Sequence, residues 1–181
     1  SYAAAVSLGA TPFYNFGTEE QKQEYLVPMA QGKTFGSFGL TEPNAGSDAG
    51  GTRTKAYLDG DEWVINGEKC WITNASYARQ VVVTAVTGQD ERGKNIITAI
   101  IVPTDTPGVT IRSEYQKMGV RASNTCEIVL ENVRVPKENI LGDEKKGFGQ
   151  FLNILDGGRI SIAALSVVIV QSAFEKALQY S

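Results

Sequence analysis

Phe38-Gly39-Leu40-Thr41-Glu42-Pro43-Asn44-Ala45-Gly46-Ser47-Asp48 starts as a strand and breaks into a loop of glycine and hydroxyl-bearing side chains. Pro43 fixes one backbone angle there, and Gly46 admits conformations closed to other residues. Such a loop can turn successive N–H groups and the Ser47 hydroxyl toward an anion. A second segment follows, Lys69-Cys70-Trp71-Ile72-Thr73-Asn74, in which strand alternation puts Trp71 and Thr73 on one face. An indole plane, two hydroxyls and an anion-binding loop suit a planar heterocycle that carries phosphates. Each piece also has a plainer reading, since such loops are often only turns and a strand tryptophan often only core.

Outward from these segments the chain reads as short strands. Residues Arg53 to Asp59 alternate and meet Glu62 to Asn66 across Gly60-Asp61, a hairpin signal. Val81 to Thr87 and Ile96 to Val102 are β-branched runs separated by Gln89-Asp90-Glu91-Arg92-Gly93-Lys94, and Val109 to Glu114 and Cys126 to Leu130 continue the pattern. Before them, residues 2–11 read as the tail of a helix that Pro12 stops. Thr18-Glu19-Glu20-Gln21 is a capping-box pattern opening a helix that runs to about Gln31 and ends at Gly32. After Val135 helical character returns, amphipathic from Lys146 to Leu155 and apolar nearly all round from Ile160 to Val170. The fold class is α+β: an antiparallel β-barrel or orthogonal sandwich flanked by helices of incomplete helical domains. The expected divisions are 1–33, 34–142 and 143–181.

Composition narrows the function. The net charge is −3 over 181 residues and no dense Lys/Arg tract occurs, which argues against nucleic-acid binding. There is no histidine, so Ser-His-Asp and Cys-His machinery is excluded from this polypeptide. Cys70 and Cys126 match no metal spacing and read as reduced thiols. The start lacks a basic signal-peptide region, and the run from Ile160 to Val170 is too short to span a bilayer, so no membrane insertion is expected. A helix apolar on every face needs partners this chain does not supply. With no initiator methionine either, the sequence is expected to come from inside a longer protein.

A third motif, Leu155-Asp156-Gly157-Gly158-Arg159, opens an apolar helix, within which its two glycines would be costly, and completes an ordered trio. With Phe16-Gly17-Thr18-Glu19-Glu20-Gln21-Lys22, Lys117-Met118-Gly119-Val120-Arg121 and Val135-Pro136-Lys137-Glu138-Asn139, it makes the whole chain resemble the acyl-CoA dehydrogenase family, particularly its short-chain, butyryl-type branch.

The resemblance implies FAD as cofactor, with Phe38, Gly39, Leu40, Thr41, Gly46, Ser47, Trp71, Ile72 and Thr73 in contact with it. Thr41 would hydrogen-bond the ring, Ser47 would help hold the pyrophosphate, Trp71 would pack on the ring and Thr73 would donate toward it. Trp63 serves as the contrast, a tryptophan expected in the core. Ser47, Asp156, Gly157, Gly158 and Arg159 would meet the coenzyme A substrate, although Asp156 and Arg159 could equally be an exposed ion pair. The implied reaction is α,β-dehydrogenation of a short-chain acyl-CoA, with electrons passing to an electron-transfer flavoprotein.

A glutamate base is required, and none carries over. In most of the family it lies in a segment beyond Ser181; in the isovaleryl-type branch it directly precedes the arginine matching Arg159, where this chain has Gly158. The family gives Glu42 no base role. The 181 residues alone are therefore expected to be inactive, and the full-length protein to be a tetramer or dimer, cytoplasmic in a bacterium or mitochondrial in a eukaryote. Two other readings stay open: an acyl-CoA oxidase, and a non-catalytic ligand-binding β-barrel module.

Overall fold

Short β-branched runs separated by turn residues fold into one seven-stranded sheet with helices at both chain ends. The computed structural model describes residues 2–181. The strands are β1 (Phe35–Gly39), β2 (Lys55–Asp59), β3 (Glu62–Thr73), β4 (Ala78–Gln89), β5 (Asn95–Pro103), β6 (Val109–Ile111) and β7 (Thr125–Pro136). They lie in the order β1-β4-β2-β3-β7-β6, with β5 added on β4. The expected hairpin forms between β2 and β3, where Asp59 faces Glu62 and Gly60 takes φ +64°. Most pairings are antiparallel, as the alternation implied, but β1 runs parallel to β4 and β2 touches β4 in parallel at Lys55 and Val86.

The uniform β-branched runs are explained by burial on both faces. On β4, Val81 and Val83 join one core with Ile100, Val102, Ile128 and Leu130, while Val82 joins another with Ile101, Phe13, Tyr25 and Phe151. The first core fills the sheet's concave interior and includes Trp63, 5% exposed. The second binds the helices to the outside.

Helix α1 (2–16) does not stop at Pro12. The stretch Ala5–Ala10 is wound as π-helix, with the Thr11 N–H bonded to the Val6 carbonyl, and ordinary helix resumes over Thr11–Phe16. Helix α2 (19–30) repeats the device: Lys22–Leu26 is π-wound ahead of Pro28. A proline cannot donate to the carbonyl four residues back and its ring collides with it. Widening the preceding turn relieves both problems. Thr18 caps α2 as expected, its hydroxyl accepting from Gln21 N while Gln21 Oε1 accepts from Thr18 N. Helix α1 also crosses β1 at backbone contact, so a Cβ on Gly9 would stand 2.7 Å from Gly36 O.

The C-terminal pattern forms one helix, α3 (Gly147–Tyr180), rather than a break at Asp156. Its first turns are tied down: a Cβ on Gly147 would lie 2.4 Å from Ala99 N, and Gln150, Phe151 and Ile154 are buried. Beyond Leu155 the helix is bare, with Ile160 74% and Val170 68% exposed. The apolar run from Ile160 to Val170 sits in a 34-residue helix whose most apolar window has a mean hydropathy of 1.5, long and apolar enough to cross a membrane.

Candidate functional site

The first two predicted segments converge on one face, at the open end of β1 and β3. Ser37 Oγ donates to Thr73 O at 2.9 Å, and Cys70 N donates to Thr41 O at 2.9 Å. Together these bonds bind the strand that carries Phe38 to the strand that carries Trp71. A small cavity of about 40 Å³ opens between them, lined by Phe38, Trp71 and Thr73 with Ala4 and Leu8 of α1. Leu8 also approaches the third motif, lying 3.9 Å from where a Cβ on Gly158 would be. Phe38 stacks on Phe151 of α3 with centroids 4.0 Å apart.

Trp71 departs most from an ordinary strand residue. The β3–β7 register slips between Lys69 and Ile72, and Trp71 takes φ +60°, a left-handed conformation uncommon for a bulky side chain. Its indole is 60% exposed, while Cys70 and Ile72 on either side are buried. One face of the indole rests on Tyr115, centroids 4.3 Å apart at 24°. Tyr115 is held by Glu127, to whose Oε1 its hydroxyl donates at 2.5 Å, and burial with that carboxylate pushes the phenol well above its usual range. Asn74 is left-handed as well, φ +64°, so two such residues bracket Ile72 and Thr73.

The remaining predicted residues are placed differently. Leu40 is buried, whereas Ser47 lies exposed on the loop. Gly46 does not use the freedom expected of it. Its φ lies outside the left-handed region and a Cβ there would meet nothing within 4 Å. The tight part of the loop is instead the Glu42–Ala45 turn, closed by reciprocal backbone bonds of 3.1 Å. Asp156 and Arg159 form an exposed ion pair at 2.5 Å inside α3, not at a helix start, and a Cβ on Gly157 would meet nothing. A cleft of about 1070 Å³ lies elsewhere, between the β4–β5 turn and the start of α3 at Phe148.

Sequence reasoning missed what lies under the loop. Glu42 and Lys69, both buried, form an ion pair at 2.8 Å. Glu42 Oε1 also accepts from Thr54 N at 3.0 Å, from Thr54 Oγ1 at 2.7 Å and from Thr52 Oγ1, and Oε2 accepts from Arg53 N at 2.7 Å. Lys69 Nζ also donates to Leu40 O at 3.3 Å, Thr52 Oγ1 at 3.1 Å and Thr84 Oγ1 at 3.0 Å. Burial alone would push the Glu42 carboxyl up, but the Lys69 ammonium and the hydroxyl donors outweigh it and hold the group down to about 2. Burial lowers the Lys69 ammonium to about 8 despite Glu42. The signal was faint: a lysine between Glu68 and Cys70 reads as an exposed strand position.

Known proteins resemble this arrangement closely. The acyl-CoA dehydrogenase N-terminal domain matches residues 1–33, and the acyl-CoA dehydrogenase middle domain matches residues 37–133. Probable acyl-CoA dehydrogenase YngJ of Bacillus subtilis (strain 168) is 72% identical over 181 residues, all of this chain and 48% of that protein. The structure of butyryl-CoA dehydrogenase from Megasphaera elsdenii superposes with a TM-score of 0.93 at 46% identity, over 99% of this chain and 47% of that one. An acyl-CoA dehydrogenase from Bacillus anthracis, solved in complex with FAD, gives a TM-score of 0.82 at 42% identity, over 88% and 27%. The chain thus spans about half the length of the curated relatives it matches.

Proposed function

Because this chain belongs to the acyl-CoA dehydrogenase family, we propose that it forms the flavin-facing part of an FAD-dependent dehydrogenase of short-chain acyl-CoA thioesters. One observation carries the reading. A large indole is turned outward on a left-handed backbone at the lip shared by Phe38 and Thr73. Backbone strain and exposed aromatic area together are unfavourable unless a flat partner covers them.

The residues present fit such a partner. Phe38, Gly39, Leu40 and Thr41 would supply backbone and hydroxyl groups along one edge, and Trp71, Ile72 and Thr73 the apolar plane and a second hydroxyl. Ser47 and the loop at Gly46 would meet the phosphates. When bound, FAD supplies the two-electron acceptor chemistry. The chain's own task is to orient the acyl thioester, exclude water with Trp71 and Tyr115, and present donors where negative charge develops. Asp156, Gly157, Gly158 and Arg159 would line the path of the coenzyme A chain.

No proton acceptor for the α-carbon is assigned within these residues. Glu42 is the one buried carboxylate among the described residues, and its carboxyl is held far below the range of a general base. The base is proposed to lie C-terminal to Ser181, so the 181-residue chain alone does not turn over substrate. Residues 1–33, 34–142 and 143–181 are read as the end of a helical domain, the middle flavin-binding β domain and the start of a second helical domain. The bare face of α3 is the proposed seat of further helices and of neighbouring subunits, with an electron-transfer flavoprotein as the redox partner.

The test is made on the full-length protein. It should be isolated yellow, lose its visible flavin absorbance on anaerobic addition of butyryl-CoA, and reduce a dye in proportion. Peroxide released in air without a dye would make it an oxidase. A colourless protein that cannot be loaded with FAD would sink the reading in favour of a binding module.

A further inference from the structure

The buried pair under the loop has a use that stability does not explain. Replacing a buried ion pair by neutral groups of similar shape is often neutral or stabilising, so a core has no need of one. What charged groups provide and apolar ones do not is direction.

Here the directions converge on backbone. Lys69 Nζ donates to the carbonyl of Leu40, and the next residue, Cys70, donates its N–H to the carbonyl of Thr41. Two adjacent residues of β3 thus hold two adjacent residues of the loop. Glu42, one position on, accepts the backbone N–H groups of Arg53 and Thr54, which anchors the loop's far side to the approach of β2. Immediately after Cys70 the register slips and Trp71 turns left-handed. The same few residues therefore set both where Thr41 lies and how the indole leaves the strand.

We infer that Glu42 and Lys69 are positioning residues for the flavin, presetting Thr41 and Trp71 against each other before the cofactor arrives. Neither touches the cofactor in this scheme; both act through the residues they hold. The inference rests on the flavin reading above. It predicts that the pair is felt in how the flavin is bound and tuned, beyond any change in stability.

The experiment uses full-length holoprotein with three variants: Glu42→Gln, Lys69→Met and Glu42→Gln/Lys69→Met. Each single variant leaves one buried charged partner stranded and is expected to melt earlier. The neutral double variant is expected to regain most of the lost melting temperature and to carry the test if a single variant fails to fold. In every folded variant FAD should dissociate about 10–100-fold more readily, the scale on which orienting partners behind a ligand shell act. The reduction potential and visible band shape of the retained flavin should shift as well. A double variant with wild-type FAD affinity, potential and spectrum would show the pair to be structural only and overturn the inference. Wild-type protein that cannot be loaded with FAD would overturn both this inference and the functional reading.

Discussion

Tyr115 supports the Trp71 indole from beneath, ring centroids 4.3 Å apart and planes 24° from parallel. Trp71 belongs to β3 and Tyr115 to the connection between β6 and β7, so the exposed indole is clamped on one face and open on the other. Stacked aromatic pairs contribute about 0.5–1.5 kcal/mol beyond their buried area. In a Trp63→Phe background of the 181-residue chain, where Trp71 is the sole tryptophan, Tyr115→Leu should red-shift indole emission and make it easier to quench. Tyr115→Phe keeps the ring and should change emission little. Equal spectra from the two variants would mean that the stack does not fix the indole.

The two tryptophans should separate stability from cofactor retention. Trp63 is buried in the sheet interior and its Nε1 donates to Lys137 O at 3.3 Å. Trp63→Ala should cost about 3–5 kcal/mol, the range for truncating a buried large aromatic. Trp71→Ala removes an exposed side chain and should cost under about 1 kcal/mol while lowering flavin content. Thermal melting and the ratio of flavin to protein absorbance read the two effects. Bleaching by Trp63→Ala alone would reverse the assignment.

Acid should act through Glu42. Its folded pKa of about 2 lies below the ordinary 4.5, so the unfolded chain binds the proton more tightly. The stability this contributes is present above pH 4.5 and is lost as pH falls toward about 2. Glu42→Gln should therefore flatten the acid limb of a stability–pH curve over that window. An unchanged slope there would show that Glu42 is not the group responsible.

Two glycines should behave oppositely. Gly147→Ala puts a methyl 2.4 Å from Ala99 N and should destabilise by about 1–3 kcal/mol, as overpacking does. Gly46→Ala meets open space and should stay within about 0.5 kcal/mol of wild type. Urea denaturation measures both.

The bare face of α3 gives a fifth set of outcomes. The 181-residue chain on its own should self-associate in size-exclusion chromatography, retain little FAD and fail to reduce a dye with butyryl-CoA. A monodisperse, yellow and active preparation would place the base within these residues.

Local physics made much of this molecule legible. The Thr18–Gln21 cap, the Gly60-Asp61 turn, the β-branched runs and the burial of Trp63 all follow from short-range patterns, and the structure bears them out. What escaped depends on neighbours distant in sequence or on helix cooperativity. Pro12 reads as a stop, yet a wider preceding turn lets α1 pass through it. The motif around Gly157 and Gly158 reads as a helix start, but extending an established helix costs less than ending and renucleating it. Lys69 is buried because the register slips just after it and its partners lie on three other segments. The parallel β1–β4 pairing leaves no periodic trace in either strand.

That pairing also bears on the order of assembly. β1 is an edge strand whose sole neighbour in the sheet is β4, reached after the whole β2–β3 hairpin has been traversed. The loop-closure entropy of that excursion is met only when β4 is already in place, whereas β2–β3 and β4–β5 pair across short turns. The strand that carries Phe38 should therefore dock late and detach while the two hairpins stay paired. Backbone amide exchange in the apoprotein should show it, with Ser37 to Gly39 losing protection ahead of the paired amides of β3 and β7, and recovering it when FAD binds.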